Sequence, residues 1–491
     1  MLSLILTTLL STASAAPAGI VGSTYADVYP PGSTTVDRGL FPDRTVVGYP
    51  HVTRTGAQPY AIVTSPADLF PKVQQAFGPV VLPEARNSRG GKGKNSDNGN
   101  GKKKGKGKKD KAGHLKASGD LAFLNDWTYK LGSDILVPFG RQQLYELGVR
   151  SRIAYGHLLN DFTERGELPV FRTGSIDRMV ETMEAFGQGF FGRDSQKQFS
   201  MSIAIEEKGI NATVYPGGGT CPNSDRDVVA SKLGMAEYVN RTFAGTAKRL
   251  QKDLEGYTIT PGDVHTLMSL CSYETLALGY SAFCPLFTHD EFLDYQYAWD
   301  IMFFYGNGPG GQTTAAQGKG WVQEFLARLT HTPLESYDSS TNSTLDGNPE
   351  TFPLNQSIYA DASHDSYIMS TFTAMNLPIH GGALPLDKRV DGRVFTSSAL
   401  VPFNTNFVAQ VLSCEGMEGQ QIRFIINDAV VPLHEKYDGC EEDEDGICSL
   451  HAVVEALQKR VAEIDYTASC RGDITNITDT AQLKDSNGLP Y

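Results

Sequence analysis

Two stretches of this chain combine residue types and local structure suited to holding an anion. In Tyr359-Ala360-Asp361-Ala362-Ser363-His364-Asp365 a strand-like run ends on an adjacent His-Asp pair that then opens a helix. A helix N-terminus offers unpaired backbone N–H groups, which makes this junction a good place for a phosphate. In Leu168-Pro169-Val170-Phe171-Arg172 a short strand precedes a helix marked by Ile176, Met179, Val180, Met183, Phe186 and Phe190. Arg172 thus stands where a second strand hands over to a helix.

The elements that must position these residues are legible from periodicity. Asp365 is a suitable N-cap for a helix carrying Ile368, Met369, Phe372 and Met375 at helical spacing. From about Ser175 to Thr330 the pattern is mostly helical, broken by Gly217-Gly218-Gly219 and by the glycine-rich turn at 306–311. Later, Gln421–Ile426 and Ala429–Leu433 flank Asn427-Asp428, the signature of a hairpin. Strands at both ends of a helical middle predict an α/β sheet domain, residues 16–174 and 331–491, with a mainly helical domain, 175–330, inserted in it.

Composition restricts the compartment and the partners. Met1 to Ala15 is an apolar run ending in Ala13-Ser14-Ala15, which reads as a secretory signal peptide. It is shorter than the roughly 20 apolar residues that a spanning helix needs, so a secreted, extracellular protein without a membrane anchor is expected. Sequons begin at Asn211, Asn240, Asn342, Asn355 and Asn476, and the 7 cysteines include no C-x-x-C pair, which favours disulfides over zinc. The net charge of −13 hides an asymmetry. Residues 86–118 form a Lys/Gly-rich insert with almost nothing apolar to bury, expected to be disordered. Twelve Lys/Arg against two Asp between Arg86 and Lys116 give it a net +10, leaving −23 on the rest. An acidic body argues against a nucleic-acid partner.

The His364-Asp365 segment resembles the distal motif of the histidine acid phosphatases, especially the fungal phytases. Val137-Pro138-Phe139-Gly140-Arg141-Gln142-Gln143-Leu144, Phe171-Arg172-Thr173 with Asp177-Arg178, Phe287-Thr288-His289-Asp290-Glu291 and Tyr305–Gly310 are similar to further family stretches, in the same order. The resemblance runs from about Gly119 to Cys470. It implies a phosphoglycerate-mutase-like sheet domain with helices on both faces plus a helical domain, and hydrolysis of phosphomonoesters without a metal or cofactor. It also implies the pairings Cys221–Cys470, Cys271–Cys284 and Cys440–Cys448, with Cys414 left as a buried free thiol.

In that family an N-terminal R-H-G-x-R-x-P motif supplies a nucleophilic histidine and two phosphate-binding arginines. Here the matching place holds Arg54-Thr55-Gly56-Ala57-Gln58-Pro59. Carried over by resemblance, Arg54 and Arg172 bind phosphate, His364 is a phosphate ligand and Asp365 is the proton donor. Thr55 falls on the nucleophile and Gln58 on the other arginine. A threonine hydroxyl without an adjacent base is a poor nucleophile, and His51 lacks the Arg-His-Gly order. By itself Arg54-Thr55-Gly56 also reads as a strand end with a tight turn. Weak or lost hydrolysis of a small phosphorylated substrate is therefore expected, the alternative being a pseudophosphatase that binds an anionic ligand. His289-Asp290-Glu291 reads as a helix start, and the acidic run Glu441–Asp445 as a solvated loop without calcium-ligand spacing.

Overall fold

The computed structural model describes residues 8–12, 115–132, 135–216, 220–379, 381–414 and 416–473. Its ten strands there are β1 (Thr8–Thr12), β2 (Lys116–Ala117), β3 (Val170–Gly174), β4 (Ser200–Ala204), β5 (Leu254–Glu255), β6 (Ala360–His364), β7 (Phe407–Leu412), β8 (Gln421–Ile426), β9 (Ala429–Val430) and β10 (Cys448–Ser449). The long helices are α1 (Pro138–Tyr155), α2 (Asp177–Phe191), α3 (Ser224–Thr242), α4 (Pro261–Leu278), α5 (His289–Gly306), α6 (Thr314–Thr330), α7 (Asp365–Ala374) and α8 (Leu450–Glu463).

β1, β6, β3 and β4 form a parallel sheet in that order. Parallel neighbours require crossover connections and are covered on both faces, and β3–α2–β4 is such a unit. β6 is accordingly buried throughout. β10, β8 and β7 form an antiparallel sheet, with β9 paired to β8. The β8–β9 hairpin turns through Asn427 and Asp428 at φ 49° and 69°, as their residue types predict. β1 also borders β7, so it lies where the two sheets meet. β1 falls within the run read as a signal peptide, and β4 places within the parallel sheet a piece of the range read as a helical domain.

α2 buries Met179, Met183, Phe186 and Phe190 against Phe171 of β3. α1 and α2 cross closely because both are glycine at the crossing. A Cβ on Gly148 would run into the Phe186 carbonyl oxygen, and one on Gly189 into that of Tyr145. α4 and α5 start with capping boxes at Thr260/Asp263 and Thr288/Glu291, so His289-Asp290-Glu291 is the helix start its sequence suggests. One hydrophobic core runs from these helices through α6 and α7 to β7, β8 and α8.

The three disulfides Cys221–Cys470, Cys271–Cys284 and Cys440–Cys448 are formed. Cys414 is free but half-buried, a correction to its expected burial that follows from its place just beyond the end of β7. No helix among the described residues is long and apolar enough to cross a membrane.

Candidate active site

Side chains alternate along a strand, so Asp361 and Ser363 leave β6 on one face and His364 on the other. Asp361 is fully buried and is the hub of an ionic cluster. Arg172 reaches it with Nε to Oδ1 and Nη2 to Oδ2, both at 2.8 Å. Arg328 donates to it at 2.6 and 3.0 Å, and Trp321 Nε1 at 3.0 Å. Trp321, Glu324 and Arg328 share one face of α6 by helical spacing, and Glu324 Oε2 accepts from Arg172 Nη2 at 2.6 Å and Thr213 Oγ1 at 2.7 Å. Burial alone would raise the Asp361 carboxyl, but the charges of Arg172 and Arg328 hold it well below the carboxylate range.

This placement corrects the expectation for Arg172. It lies in the middle of β3, not at the handover to α2, and its guanidinium is committed to two carboxylates. Beside it, a pocket lined by Thr213, Glu324, Asn342 and Asp346 holds a second acidic pair. Burial and then the charge of Glu324 push the Asp346 carboxyl up to about 8.

His364 and Asp365 stand at the C-terminal end of β6, where parallel α/β sheets place their ligands. His364, not Asp365, occupies the N-cap position of α7, because the strand's extended backbone persists to φ −86°, ψ 152° at His364. Asp365 is the first helical residue, and its Oδ1 accepts the Ser366 N–H at 2.7 Å. The His364 ring is flanked edge-on by Tyr215 and Tyr367, with centroids 5.5 and 5.9 Å away. Burial, followed by the neighbouring Tyr215, Glu206 and Asp365, pushes the Tyr367 phenol up, so it stays protonated.

His364 Nε2 lies 2.9 Å from Glu206 Oε2, with both side chains almost fully buried. Glu206 comes from just beyond β4, and its backbone N–H donates to Ser175 Oγ at 2.9 Å. Gly174 makes room for the Glu206 carboxylate, which a Cβ there would strike. Sequence reasoning missed Glu206; the only local signal was a glutamate pair following a strand-like run. Arg178 is half-buried in the first turn of α2, beyond the same end of β3.

Arg54, Thr55 and Gln58 lie outside the described residues, as does Asn476. Among the other sequons, Asn355 is exposed and Asn240 is half-buried on α3. Asn211 and Asn342 each donate Nδ2 to backbone on the other's segment, at 3.1 and 3.0 Å. In the acidic loop, Asp443 Oδ1 accepts from the Asp445 and Ile447 N–H groups, and no metal-binding cluster occurs among the described residues.

A parallel sheet flanked by helices, with His-Asp closing one strand and opening the next helix, defines the α/β class of the fold, and comparison with known proteins gives the family. Residues 85–427 match the histidine phosphatase superfamily (branch 2), and the chain belongs to that superfamily. The match begins after Arg54, Thr55 and Gln58. The chain is similar to Phytase A of Aspergillus awamori, 35% identical over 365 residues, covering 69% of this chain and 73% of that protein. It is likewise similar to Phytase A of Aspergillus fumigatus, 36% identical over 362 residues with 69% and 74% covered. The crystal structure of the phytase from D. castellii shares the fold, with a TM-score of 0.58 at 22% identity over 74% of this chain and 75% of that one.

Proposed function

We propose that the chain is a secreted, phytase-like phosphomonoester-handling protein whose site is centred on His364 and Asp365. The observation that carries this reading is the placement of that pair at the C-terminal end of β6, opening α7, in a chain similar to Phytase A. His364 is the phosphate ligand and Asp365 the donor of a proton to the leaving oxygen. Arg178 takes the cationic role that Arg172, locked to Asp361 and Glu324, cannot serve. Arg54 is a further clamp. With Thr55 at the nucleophile position and Gln58 in place of an arginine, turnover is weak or lost. Three disulfides and the apolar N-terminus support an oxidising, extracellular destination, and the exposed Asn355 is the best-placed glycan acceptor.

The test is hydrolysis of an aryl phosphate and of inositol hexakisphosphate from acidic to neutral pH. The native chain, Asp365→Asn and the Thr55→His/Gln58→Arg double variant are compared. Weak native activity that rises in the double variant and is abolished by Asp365→Asn supports the reading. Ordinary phosphatase turnover by the native chain would overturn the loss of catalysis. A second reading, a non-catalytic binder of an anionic ligand, is favoured by Thr55 and Gln58 and predicts ligand binding with no turnover in the native chain.

A further inference from the structure

An anion seated at His364 must take a hydrogen bond from the imidazole, yet Nε2 already faces Glu206 at 2.9 Å. The ring cannot readily turn to offer another edge, because Tyr215 and Tyr367 pack against it on two sides. Glu206 is equally confined. Its Oε1 is 3.5 Å from the Ile176 backbone nitrogen, its own N–H is tied to Ser175, and Gly174 closes against it. The groups that face or neighbour this pair are Tyr215, Tyr367 and Asp365, with Asp177 and Arg178 in the adjoining turn of α2. A buried carboxylate here repels a dianion and competes with it for one donor.

We infer that Glu206 is a built-in competitor of the phosphoryl group: it holds the His364 donor until a ligand displaces it. This rests on the reading of His364 as an anion ligand. It makes Glu206 a binding-determining residue at the site, one that weakens dianion capture. Capture then transfers the Nε2 hydrogen bond from the Glu206 oxygen to a ligand oxygen, with no covalent change.

Sulfate is a suitable probe, since its charge is constant between pH 4 and pH 7. Its affinity for the full-length chain is measured by titration calorimetry at pH 7, for wild type, Glu206→Gln, Glu206→Ala and His364→Ala. Both Glu206 variants are expected to bind about tenfold more tightly than wild type. Binding that is lost in His364→Ala but weaker or unchanged in both Glu206 variants at pH 7 overturns the inference alone. Binding indifferent to His364→Ala, or absent from every protein, overturns the site reading and the inference with it.

Discussion

Arg172 and Asp361 meet side chain to side chain at the register point that joins β3 to β6, through two parallel N–H···O bonds of 2.8 Å. A bidentate, buried pair of this kind fixes how far one strand is shifted against the other. It thereby sets the height of His364 relative to the end of β3.

Removing the guanidinium should be severe. Arg172→Ala leaves Asp361 and Glu324 buried with fewer counter-charges, and breaking such a pair costs about 3–5 kcal/mol. Urea denaturation is the measurement, and Arg172→Lys should rescue only part, because an ammonium cannot make both bonds. A stability change under about 1 kcal/mol would show that the cluster is not integral to the fold.

Asp346 makes stability depend on pH with a definite sign. Its carboxyl is ordinarily near 3.8 and is pushed up to about 8 in the fold, so the folded chain keeps a proton that the unfolded chain releases. The associated stability is complete below pH 3.8 and drains away as pH rises to about 8. Asp346→Asn should flatten this slope, seen as denaturation midpoints that converge with wild type in acid and exceed it at pH 8. Parallel profiles for the two proteins would refute the assignment.

The Cys221–Cys470 bridge spans 249 residues, whereas Cys440–Cys448 spans 8. Loop-closure entropy then makes the first worth about 5.5 kcal/mol and the second about 2.5. Paired Cys→Ser variants, compared by thermal melting, should rank in that order.

Gly189→Ala tests the α1–α2 crossing. The added methyl meets the Tyr145 carbonyl oxygen, which is backbone and cannot rotate away. Overpacking of this type costs about 1–3 kcal/mol, readable by chemical denaturation. Ala at the exposed Gly166, which has nothing near it but a φ of +69°, should show instead a local backbone penalty.

Local information made β6, α7 and the Asn427-Asp428 hairpin readable, since each rests on short-range periodicity or turn chemistry. The three bridges followed from the family likeness. What escaped was long-range. Asp361 and Glu324 reach Arg172 from 189 and 152 positions away, so an arginine that looks available in its own segment is consumed elsewhere. Glu206 meets His364 across 158 positions, from just beyond a strand that the surrounding helical pattern concealed. The N-cap position moved from Asp365 to His364 because an extended strand, not a loop, leads into α7.

The position of β1 makes the N-terminal segment part of the sheet. Thr8–Thr12 pairs residue for residue with β6, Thr12 opposite His364, and borders β7 at the meeting of the sheets. A signal peptidase cutting after Ala15 would therefore excise a rung of the sheet along with the leader. The backbone edge of β6 would be left unsatisfied, which invites pairing with any free strand, from this molecule or another. Such a cut would then also set up a strand exchange. That cut, and any self-association that followed it, would be governed by one vacancy beside the candidate site.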